Sequence, residues 1–380
     1  MNVTIYAPDR HIVYDGSTPD TKGVGGGITA RIRAAAALAR QGHAVTVICN
    51  CPVNSVQDGV QYQRLGETTA IAAGVLIAHT SGGDYDLTHL TTLPIETRLR
   101  VLFLSGAYQP KSVQAFAPDF YYTPSHFLRD FAVTQWGIPA QNIFVTHHGV
   151  VNYSPADVPR DPFQLIYASH PSKGLHHAIG VLRILRNRDP RFHLEVYGGN
   201  GLWGGPDSPI DEPGVRYHGL TSQRILAAAY LRAGFAMHLQ TRLEPFGLTL
   251  VESMAAGAVP VVSPVGSYAE LVRDGVDGIA IPGDPADPAV RQRAVEAMIA
   301  AFPALPRLRQ AATAAVITWD RMAAAWEGHW RWRLEGAGAF SEAPCAERRS
   351  FAEAAKPCAG RLLILADGLH CVSCAAYTRF

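Results

Sequence analysis

The chain has 380 residues, of which 48% are hydrophobic and 17% charged, and its formal net charge at pH 7 is +1. This length suits two domains of ordinary size, each with its own core, and the composition is that of a folded chain rather than a disordered one. A net charge so close to zero excludes a strong overall field, so we expect neither nucleic acid nor a strongly anionic membrane as a partner.

We expect a cytoplasmic protein. No apolar run reaches the roughly 18 residues needed to span a bilayer, and the first residues, Met1–Ala7, are typical of a β-strand rather than a signal peptide. Six cysteines in 380 residues form no disulfide framework, which agrees with a reducing compartment. Contact with a membrane is expected to be at most peripheral, through the basic residues Arg31, Arg33 and Arg40 of one helix.

Short apolar runs alternate with helical patterns along residues 1–152, which predicts a Rossmann-like domain with a parallel sheet covered by helices. The clearest helix extends from Ile28 to Gln41. Strands are predicted at Val3–Tyr6, Ala44–Cys49, Asp86–Leu90, Arg100–Leu104, Phe120–Thr123 and Ile143–Thr146.

A Pro-rich stretch at residues 153–162 predicts a hinge, and the alternation restarts after it and continues over residues 163–317. Two such domains leave a cleft at the carboxyl ends of their strands, where ligands of these sheets bind. Strands of the second domain are predicted at Phe163–Ala168, His193–Gly198, Val215–His218, Phe235–Leu239, Pro260–Ser263 and Gly278–Ile281.

The last predicted helix covers residues 318–335 and is rich in tryptophan. Its four tryptophans are Trp319, Trp326, Trp330 and Trp332. We interpret them as core anchors rather than as residues that stack on carbohydrate. Residues 336–380 shift in composition to Ala, Gly, Glu and Arg, and their role is unknown. Cys371 and Cys374 are spaced like ligands of a soft metal, but too few residues follow them for a metal-binding module.

The segment 244–262 is the most informative part of the chain. It is typical of a loop that carries one carboxylate, Glu244, followed by a helix that carries a second, Glu252, and then by a buried strand. Backbone N–H groups at the start of such a helix lie unpaired where an anion is favoured. Here they belong to Phe246, Gly247 and Leu248. Carboxylates that accept sugar hydroxyls beside such a helix start predict a nucleotide-sugar site.

With its Glu-Pro-Phe-Gly start and its Met-Ala-Ala-Gly end, this segment resembles the donor-site signature of retaining glycosyltransferases of family 4, the glycosyl transferases group 1. The resemblance covers residues 1–335. It implies the GT-B fold, in which two Rossmann-like βα domains face a central cleft and the C-terminal helix crosses back to the first domain. It also implies that Glu252 holds the ribose hydroxyls of the donor and Glu244 the 3- and 4-hydroxyls of its sugar.

A second segment, Ser169–Leu175, follows the first strand of the second domain and opens a helix. A Lys at such a turn can reach a diphosphate, and the helix start adds its own dipole. The segment resembles the phosphate-binding segment of the family, which implies donor contacts for Ser169 and Lys173. Many members carry an Arg five residues before this Lys. Ala168 stands there in this chain, and Arg242 is a candidate replacement.

Clustered glycines at Gly23–Gly27 precede the first long helix, and they allow the backbone to approach a phosphate or an acceptor closely. The cluster does not fit a dinucleotide fingerprint, because Ile28 replaces the third glycine and no acid follows the second strand. A nicotinamide enzyme is therefore disfavoured. A similar loop faces the cleft in the family, which implies donor contacts for Gly26 and Gly27. The resemblance also places Gly266 beside the sugar.

The acceptor side resembles the family less closely. Members often place a His after the fourth strand of the first domain, where Ser105 or a neighbour stands here, and their Asn-Gly pair appears as His148 and a glycine. His89 is a further candidate at the edge of the cleft, although capping of a strand end explains it equally well. A metal held by the histidine pairs at 147–148 and 176–177 lacks a supporting carboxylate or Cys, and the family needs none.

Together these features predict a hexosyltransferase that moves a sugar from a UDP-, GDP- or ADP-sugar to a hydroxyl acceptor with retention of configuration, without a cofactor or metal. Glu244 and Lys173 would be its catalytic residues, with Lys173 stabilising the leaving diphosphate. A nucleotide-sugar-binding protein with little transferase activity and a GT-B nucleotide-sugar epimerase stay open as alternatives. The acceptor can be a saccharide, a lipid-linked molecule or a small molecule.

Overall fold

The computed structural model describes residues 1–81, 85–153, 158–207, 210–335, 362–365, 368–371 and 377–379. The chain divides into two compact units. The first contains the described residues of Met1–Ser17, Gly27–Gly149 and Ile317–Phe380, and the second those of Thr18–Gly26 and Val150–Val316.

Strands and helices alternate along most of the chain. The strands are β1 Asn2–Tyr6, β2 Ala44–Cys49, β3 Ser55–Gln57, β4 Val60–Arg64, β5 Ile71–His79, β6 Ile95–Phe103, β7 Phe120–Thr123, β8 Ile143–Val145, β9 Asp161–Ser169, β10 His193–Gly198, β11 Val215–Gly219, β12 Ala233–His238, β13 Val259–Val262, β14 Ile279–Ala280, β15 Leu362–Leu365, β16 Gly368–Cys371 and β17 Tyr377–Arg379. The α-helices are α1 Thr18–Thr21, α2 Gly26–Arg40, α3 Thr88–Thr91, α4 Val113–Phe116, α5 His126–Trp136, α6 Leu175–Arg188, α7 Gln223–Arg232, α8 Leu248–Ala255, α9 Tyr268–Leu271, α10 Pro288–Ala300, α11 Leu305–Ala315 and α12 Trp319–Glu335.

The first unit is built on an eight-stranded sheet in the order β3-β4-β2-β1-β5-β6-β7-β8. Its strands pair in parallel, except that β3 is antiparallel to β4. The order of the strands reverses between β1 and β5, and the carboxyl ends at such a switch point are where open α/β sheets bind ligands.

The second unit is built on a six-stranded parallel sheet in the order β11-β10-β9-β12-β13-β14. Successive residues of β9 enter different apolar layers: Leu165 and Tyr167 join one cluster, and Ile166 and Ala168 another. Both faces of this central strand are therefore buried, as expected for a parallel sheet covered by helices.

The tryptophan-rich helix α12 belongs to the first unit. Trp326 and Trp330 are fully buried, and Nε1 of Trp326 donates to Oγ1 of Thr146 at 2.9 Å. Because a buried indole N–H needs an acceptor, this bond fixes the ring within the core. The interpretation as core anchors is confirmed for Trp319, Trp326 and Trp330, which are buried, whereas Trp332 is only partly buried.

One predicted strand is wrong. Residues 86–90 do not form a strand: the short helix α3 begins at Thr88, whose backbone N–H and hydroxyl donate to Oδ1 of Asp86. Leu87 and Leu90 are both fully buried at helical spacing. The strand that lies beside β1 is instead β5, an apolar run that the sequence did not mark as a strand.

Parts of the predicted hinge and tail lie outside the described residues, namely 154–157, 336–361, 366–367, 372–376 and 380. Residues 161 and 162 of the predicted hinge are already part of β9. In the tail, β15, β16 and β17 pair as an antiparallel sheet, and Cys371 is the last residue of β16. Cys374 lies outside the described residues.

Candidate functional site

An ion pair joins the two residues predicted to be catalytic. Lys173 ends a 3₁₀ turn that follows β9, and Glu244 lies in the loop between β12 and α8. Nζ of Lys173 donates to Oε2 of Glu244 at 2.7 Å. The Lys173 side chain is 28% exposed and that of Glu244 only 11%. The pair thus lies beyond the carboxyl ends of two neighbouring strands, partly shielded from water, where charges interact more strongly than in bulk solvent.

Backbone packing holds Lys173 in this place. Gly174 has a φ of +98°, and a Cβ at this position would overlap the carbonyl oxygen of Leu239, so only glycine fits. The turn after β9 therefore packs directly on the chain that leaves β12. At the other end of the turn, the carbonyl oxygen of Ser169 accepts a hydrogen bond from the N–H of Gly199 at 3.2 Å. Ser169 thus joins the turn to the loop after β10.

Gly266 supports the backbone of Glu244. Its φ is +57°, and a Cβ added there would lie 2.5 Å from the carbonyl oxygen of Glu244 and 2.7 Å from its nitrogen. The next residue, Ser267, donates its N–H to the same carbonyl oxygen at 2.9 Å. The loop after β13 therefore fixes the position from which Glu244 extends its side chain.

The helix that follows Glu244 begins where the sequence predicted. α8 starts at Leu248, and Gly247 precedes it in the left-handed region with a φ of +82°. A Cβ on Gly247 would overlap the ring of Tyr268. Glu252 lies about one turn into α8 and is 5% exposed. Phe246 and Leu248 are also buried, so apolar side chains surround the helix start.

The predicted donor-binding glycines of the first loop fall in different units. Gly26 belongs to the second unit, where a Cβ would lie 3.5 Å from Cβ of Leu248 at the start of α8. Gly27 belongs to the first unit, where a Cβ would lie 2.6 Å from Cβ of Ser81. Both glycines allow close packing, and Gly26 is the one that contacts the start of α8.

Sequence reasoning missed His238, which ends β12. This side chain is 6% exposed, and within the described part of the chain its Nε2 has no hydrogen-bond partner. Burial, with a smaller contribution from the positive charge of Lys173, lowers the pKa of His238 to about 3. His238 is therefore neutral at pH 7. A polar residue at the carboxyl end of a buried strand was the available sequence signal.

A second group that sequence reasoning missed lies at the switch point of the first sheet. Nη1 of Arg31 donates to Oδ2 of Asp9 at 2.6 Å and to the hydroxyl of Tyr14. Its Nη2 donates to the carbonyl oxygen of His79 at 2.9 Å and to Oγ of Ser81 at 3.2 Å. All five side chains are buried, and Arg31 and Asp9 are both 0% exposed. Burial, and after it the positive charge of Arg31, keep the pKa of His79 well below its usual range.

The expectation that Arg31 could contact a membrane is wrong, because its side chain is buried against Asp9. Arg40, from the same helix, donates its Nε to Oδ1 of Asp320 at 3.0 Å. Among the described residues, no helix is both long and apolar enough to cross a membrane. The described residues also contain no group of three or more His, Cys, Asp or Glu side chains that could hold a metal ion.

The three acceptor-side candidates have separate surroundings in the first unit. Nδ1 of His89 lies 2.9 Å from the hydroxyl of Tyr6. Oγ of Ser105 is buried and has no hydrogen-bond partner within the described residues. His148 stacks on Phe103 with ring centroids 5.4 Å apart, and burial together with the charge of the preceding His lowers its pKa to about 3.

Comparison with known proteins gives a family match within the second unit. Residues 159–313 match the model of the family described as glycosyl transferases group 1. This match lies within the second unit, which contains Val150–Val316. A shorter stretch of the chain, 71 residues, is 41% identical to a D-inositol 3-phosphate glycosyltransferase of Geodermatophilus obscurus. That match covers 18% of this chain and 16% of the relative, so the two are comparable over a small part of either length.

Solved structures resemble the chain over most of its length. A glycosyltransferase of Rickettsia africae has a TM-score of 0.65 at 12% identity, covering 88% of this chain and 99% of that one. Sucrose-phosphate synthase of Thermosynechococcus elongatus has a TM-score of 0.63 at 16% identity, covering 89% and 100%. HepE of Anabaena, in complex with UDP and glucose, has a TM-score of 0.60 at 16% identity, covering 87% and 99%. At these identities the likeness shows the fold, and the predicted GT-B fold class is confirmed.

Proposed function

We propose that this chain is a retaining glycosyltransferase that moves a sugar from a nucleoside-diphosphate sugar to a hydroxyl acceptor. The observation that carries the proposal is the Lys173–Glu244 ion pair beyond adjacent strands of a glycosyl transferases group 1 domain, next to the start of α8. HepE, a protein of the same fold, binds UDP and glucose. A UDP-sugar is therefore the first donor to test, with GDP- and ADP-sugars after it.

Lys173 and Glu244 would bind different parts of the donor: Lys173 the diphosphate and Glu244 the sugar. The ammonium group of Lys173 has three N–H donors, and Glu244 takes one of them, which leaves donors for the diphosphate. The two oxygens of Glu244 have enough lone pairs to accept sugar hydroxyls as well. Charge on the diphosphate grows as the bond to the sugar breaks, so a fixed cation at this place stabilises the transition state more than the ground state.

Glu252 would accept the hydroxyls of the ribose. Its carboxylate lies about one turn inside α8 and is 5% exposed, in an apolar surrounding that strengthens a hydrogen bond to a charged acceptor. The N–H of Leu250 already donates to the carbonyl oxygen of Gly247 at 3.0 Å, so the N–H groups of Gly247 and Leu248 would be the ones that favour an anion. Ribose, diphosphate and sugar would thus lie along the start of one helix.

In the proposed reaction the acceptor hydroxyl attacks the anomeric carbon from the face that the diphosphate leaves. The bond from carbon to the diphosphate oxygen breaks, a bond from carbon to the acceptor oxygen forms, and the hydroxyl proton passes to the leaving diphosphate. Retention follows because attack and departure share one face, and no side chain has to act as a nucleophile.

A nucleotide-release assay with UDP-, GDP- and ADP-glucose and a panel of hydroxyl acceptors tests the proposal. We expect Glu252→Ala to lower kcat/KM about 100-fold, since it removes two hydrogen bonds to a charged group at about 1.5 kcal/mol or more each. The matched control is Glu296→Ala on α10, whose carboxylate is 58% exposed at the surface of the same unit. It should turn over like wild type.

The products separate the proposed function from its alternatives. Full activity in the Glu252→Ala variant would exclude the donor site described here. Tight nucleotide-sugar binding without transfer to any acceptor would favour a binding protein. A sugar nucleotide with inverted sugar configuration and no need of an acceptor would favour an epimerase. Inversion at the anomeric carbon of the transferred sugar would exclude the retaining mechanism but would leave the proposed transferase activity standing.

A further inference from the structure

The ion pair at the proposed donor site has no net charge. Lys173 contributes one positive charge and Glu244, 2.7 Å away, one negative charge. Ala168, which precedes this turn in β9, is part of a buried apolar cluster and supplies no charge. A diphosphate that binds there meets a pair of zero net charge, so its affinity calls for another cation close by.

Arg242 is the cation that the structure places next to this pair. It precedes Glu244 by two residues, and its Nη1 donates to Oγ of Ser172 at 3.2 Å. Ser172 is the neighbour of Lys173 in the turn after β9. The Arg242 side chain is exposed, and within the described residues no carboxylate lies within 4.0 Å of it. Its charge is therefore available to a ligand.

An aromatic platform lies beside the Arg242 guanidinium. The Trp203 ring lies 5.3 Å from the guanidinium carbon of Arg242. The Trp203 ring also stacks on the imidazole ring of His170, with the two ring centroids 3.6 Å apart and the ring planes 17° from parallel. Trp203 is 50% exposed, and a cation near its face is attracted by the ring electrons. The three side chains come from the loops after β10, β9 and β12, which are neighbours in the sheet.

The electrostatics of His170 agree with this arrangement. Burial lowers the pKa of His170, and the positive charges of Arg242 and Lys173 lower it further. Two cations therefore act at one point of the turn, while His170 itself stays neutral at pH 7. The carboxylate of Asp207 acts on this pKa in the opposite direction, so a bound diphosphate would meet the positive charges of Lys173 and Arg242 with the negative charges of Glu244 and Asp207 nearby.

We propose that Arg242 binds the diphosphate of the donor as its second cation, and that Trp203 is a positioning residue that holds the guanidinium beside the turn of Lys173. The inference rests on the proposed function, since it assumes a nucleoside-diphosphate ligand. Guanidinium groups bind phosphate oxygens through two parallel N–H donors, so Arg242 adds geometry as well as charge.

Calorimetry of the full chain with UDP, GDP and ADP, and with the matching nucleosides, tests the inference. We expect Arg242→Gln to weaken binding of the diphosphate that wild type prefers at least tenfold, the effect of losing one charged hydrogen bond. Binding of the matching nucleoside should not change, because it has no phosphate. Arg242→Lys should recover part of the loss. The control is Arg188→Gln at the far end of α6, which should bind like wild type.

Two further variants separate a phosphate contact from a merely structural role. Ser172→Ala removes the hydrogen bond that joins Arg242 to the turn but keeps the charge, and we expect diphosphate binding within threefold of wild type. A loss as large as that of Arg242→Gln would show that Arg242 only orders the turn, and would overturn the inference. Trp203→Leu should weaken diphosphate binding less than Arg242→Gln and spare the nucleoside. Weaker binding of the nucleoside by Trp203→Leu would show that Trp203 contacts the base instead.

The outcomes also distinguish this inference from the proposed function. If wild type binds a nucleoside diphosphate and Arg242→Gln binds it equally well, the second-cation role of Arg242 is refuted and the donor site stands. If wild type binds none of the three nucleoside diphosphates, the proposed function fails, and the role of Arg242 fails with it.

Discussion

Gly266→Ala is the sharpest single-atom test of how the site is built. The change adds one Cβ, which would lie 2.5 Å from the carbonyl oxygen of Glu244 and 2.7 Å from its nitrogen. These atoms are backbone, so they can yield only by moving Glu244. The matched control is Gly275→Ala in the same unit, since Gly275 has a similar φ of +67° and no atom within 4 Å of an added Cβ.

Gly266→Ala and Gly275→Ala share one destabilising effect and differ in a second. Both place alanine in the left-handed region, at about 1–2 kcal/mol of the free energy of unfolding. Only Gly266→Ala adds an overlap with backbone, and overpacking of a tight site costs about 1–3 kcal/mol more. We therefore expect Gly266→Ala to lose about 2–5 kcal/mol and Gly275→Ala about 1–2 kcal/mol. In a domain of this size, each kcal/mol lowers Tm by about 2–4 °C.

Thermal unfolding and nucleotide-sugar binding are measured on both variants. At a temperature where both are folded, Gly266→Ala should bind the donor at least tenfold more weakly, because Glu244 and its bond to Lys173 are displaced, whereas Gly275→Ala should bind like wild type. Equal losses of stability in the two variants, or unchanged donor binding in Gly266→Ala, would refute the claim that Gly266 positions Glu244.

Two further predictions concern buried groups. Arg31→Met leaves Asp9 as a buried charge without its ion-pair partner, so urea unfolding should show a loss of about 3–5 kcal/mol in the free energy of unfolding. Adding Asp9→Asn to this variant should recover part of the loss. If the losses of the two single variants simply add in the double variant, the pairing is contradicted. The pKa of His238 is about 3 in the folded state against 6.5 unfolded, so the unfolded state binds the proton first as pH falls. The contribution of His238 to the free energy of unfolding is therefore fully present above pH 6.5. It declines by about 1.4 kcal/mol per pH unit as the pH falls toward 3. His238→Phe should make the decline of the unfolding free energy below pH 6.5 shallower by that amount, and an unchanged slope would show that His238 is not the group responsible.

The sequence was sufficient where a structural signal is local. The strand Ala44–Cys49 and the start of α8 at Leu248 follow from apolar runs, from glycine and from the spacing of charged residues within a few positions. The order of Glu244 and Glu252 around the helix start follows in the same way. The same rules misassigned residues 86–90, where the short helix α3 begins at Thr88. They also overlooked β5, whose place beside β1 depends on pairing with a distant strand.

The donor-site geometry depended on contacts that no local rule describes. Lys173 and Glu244 are 71 residues apart in the chain, and they meet because β9 and β12 are neighbours in the sheet. Gly266 reaches the backbone of Glu244 because β13 lies next to β12. Strand order depends on pairing between strands that are distant in the chain, so it is a property of the whole unit.

Arg31 shows the same division between sequence and structure. As one basic residue on an alanine-rich helix, it suggests a surface contact, and only the fold places Asp9 close enough to pair with it in the core. By itself, the sequence determined the kinds of element and the chemical groups that each one carries, because these depend on neighbours along the chain. The tertiary structure alone decided which groups meet and which are buried, because both depend on the order in which distant strands pair.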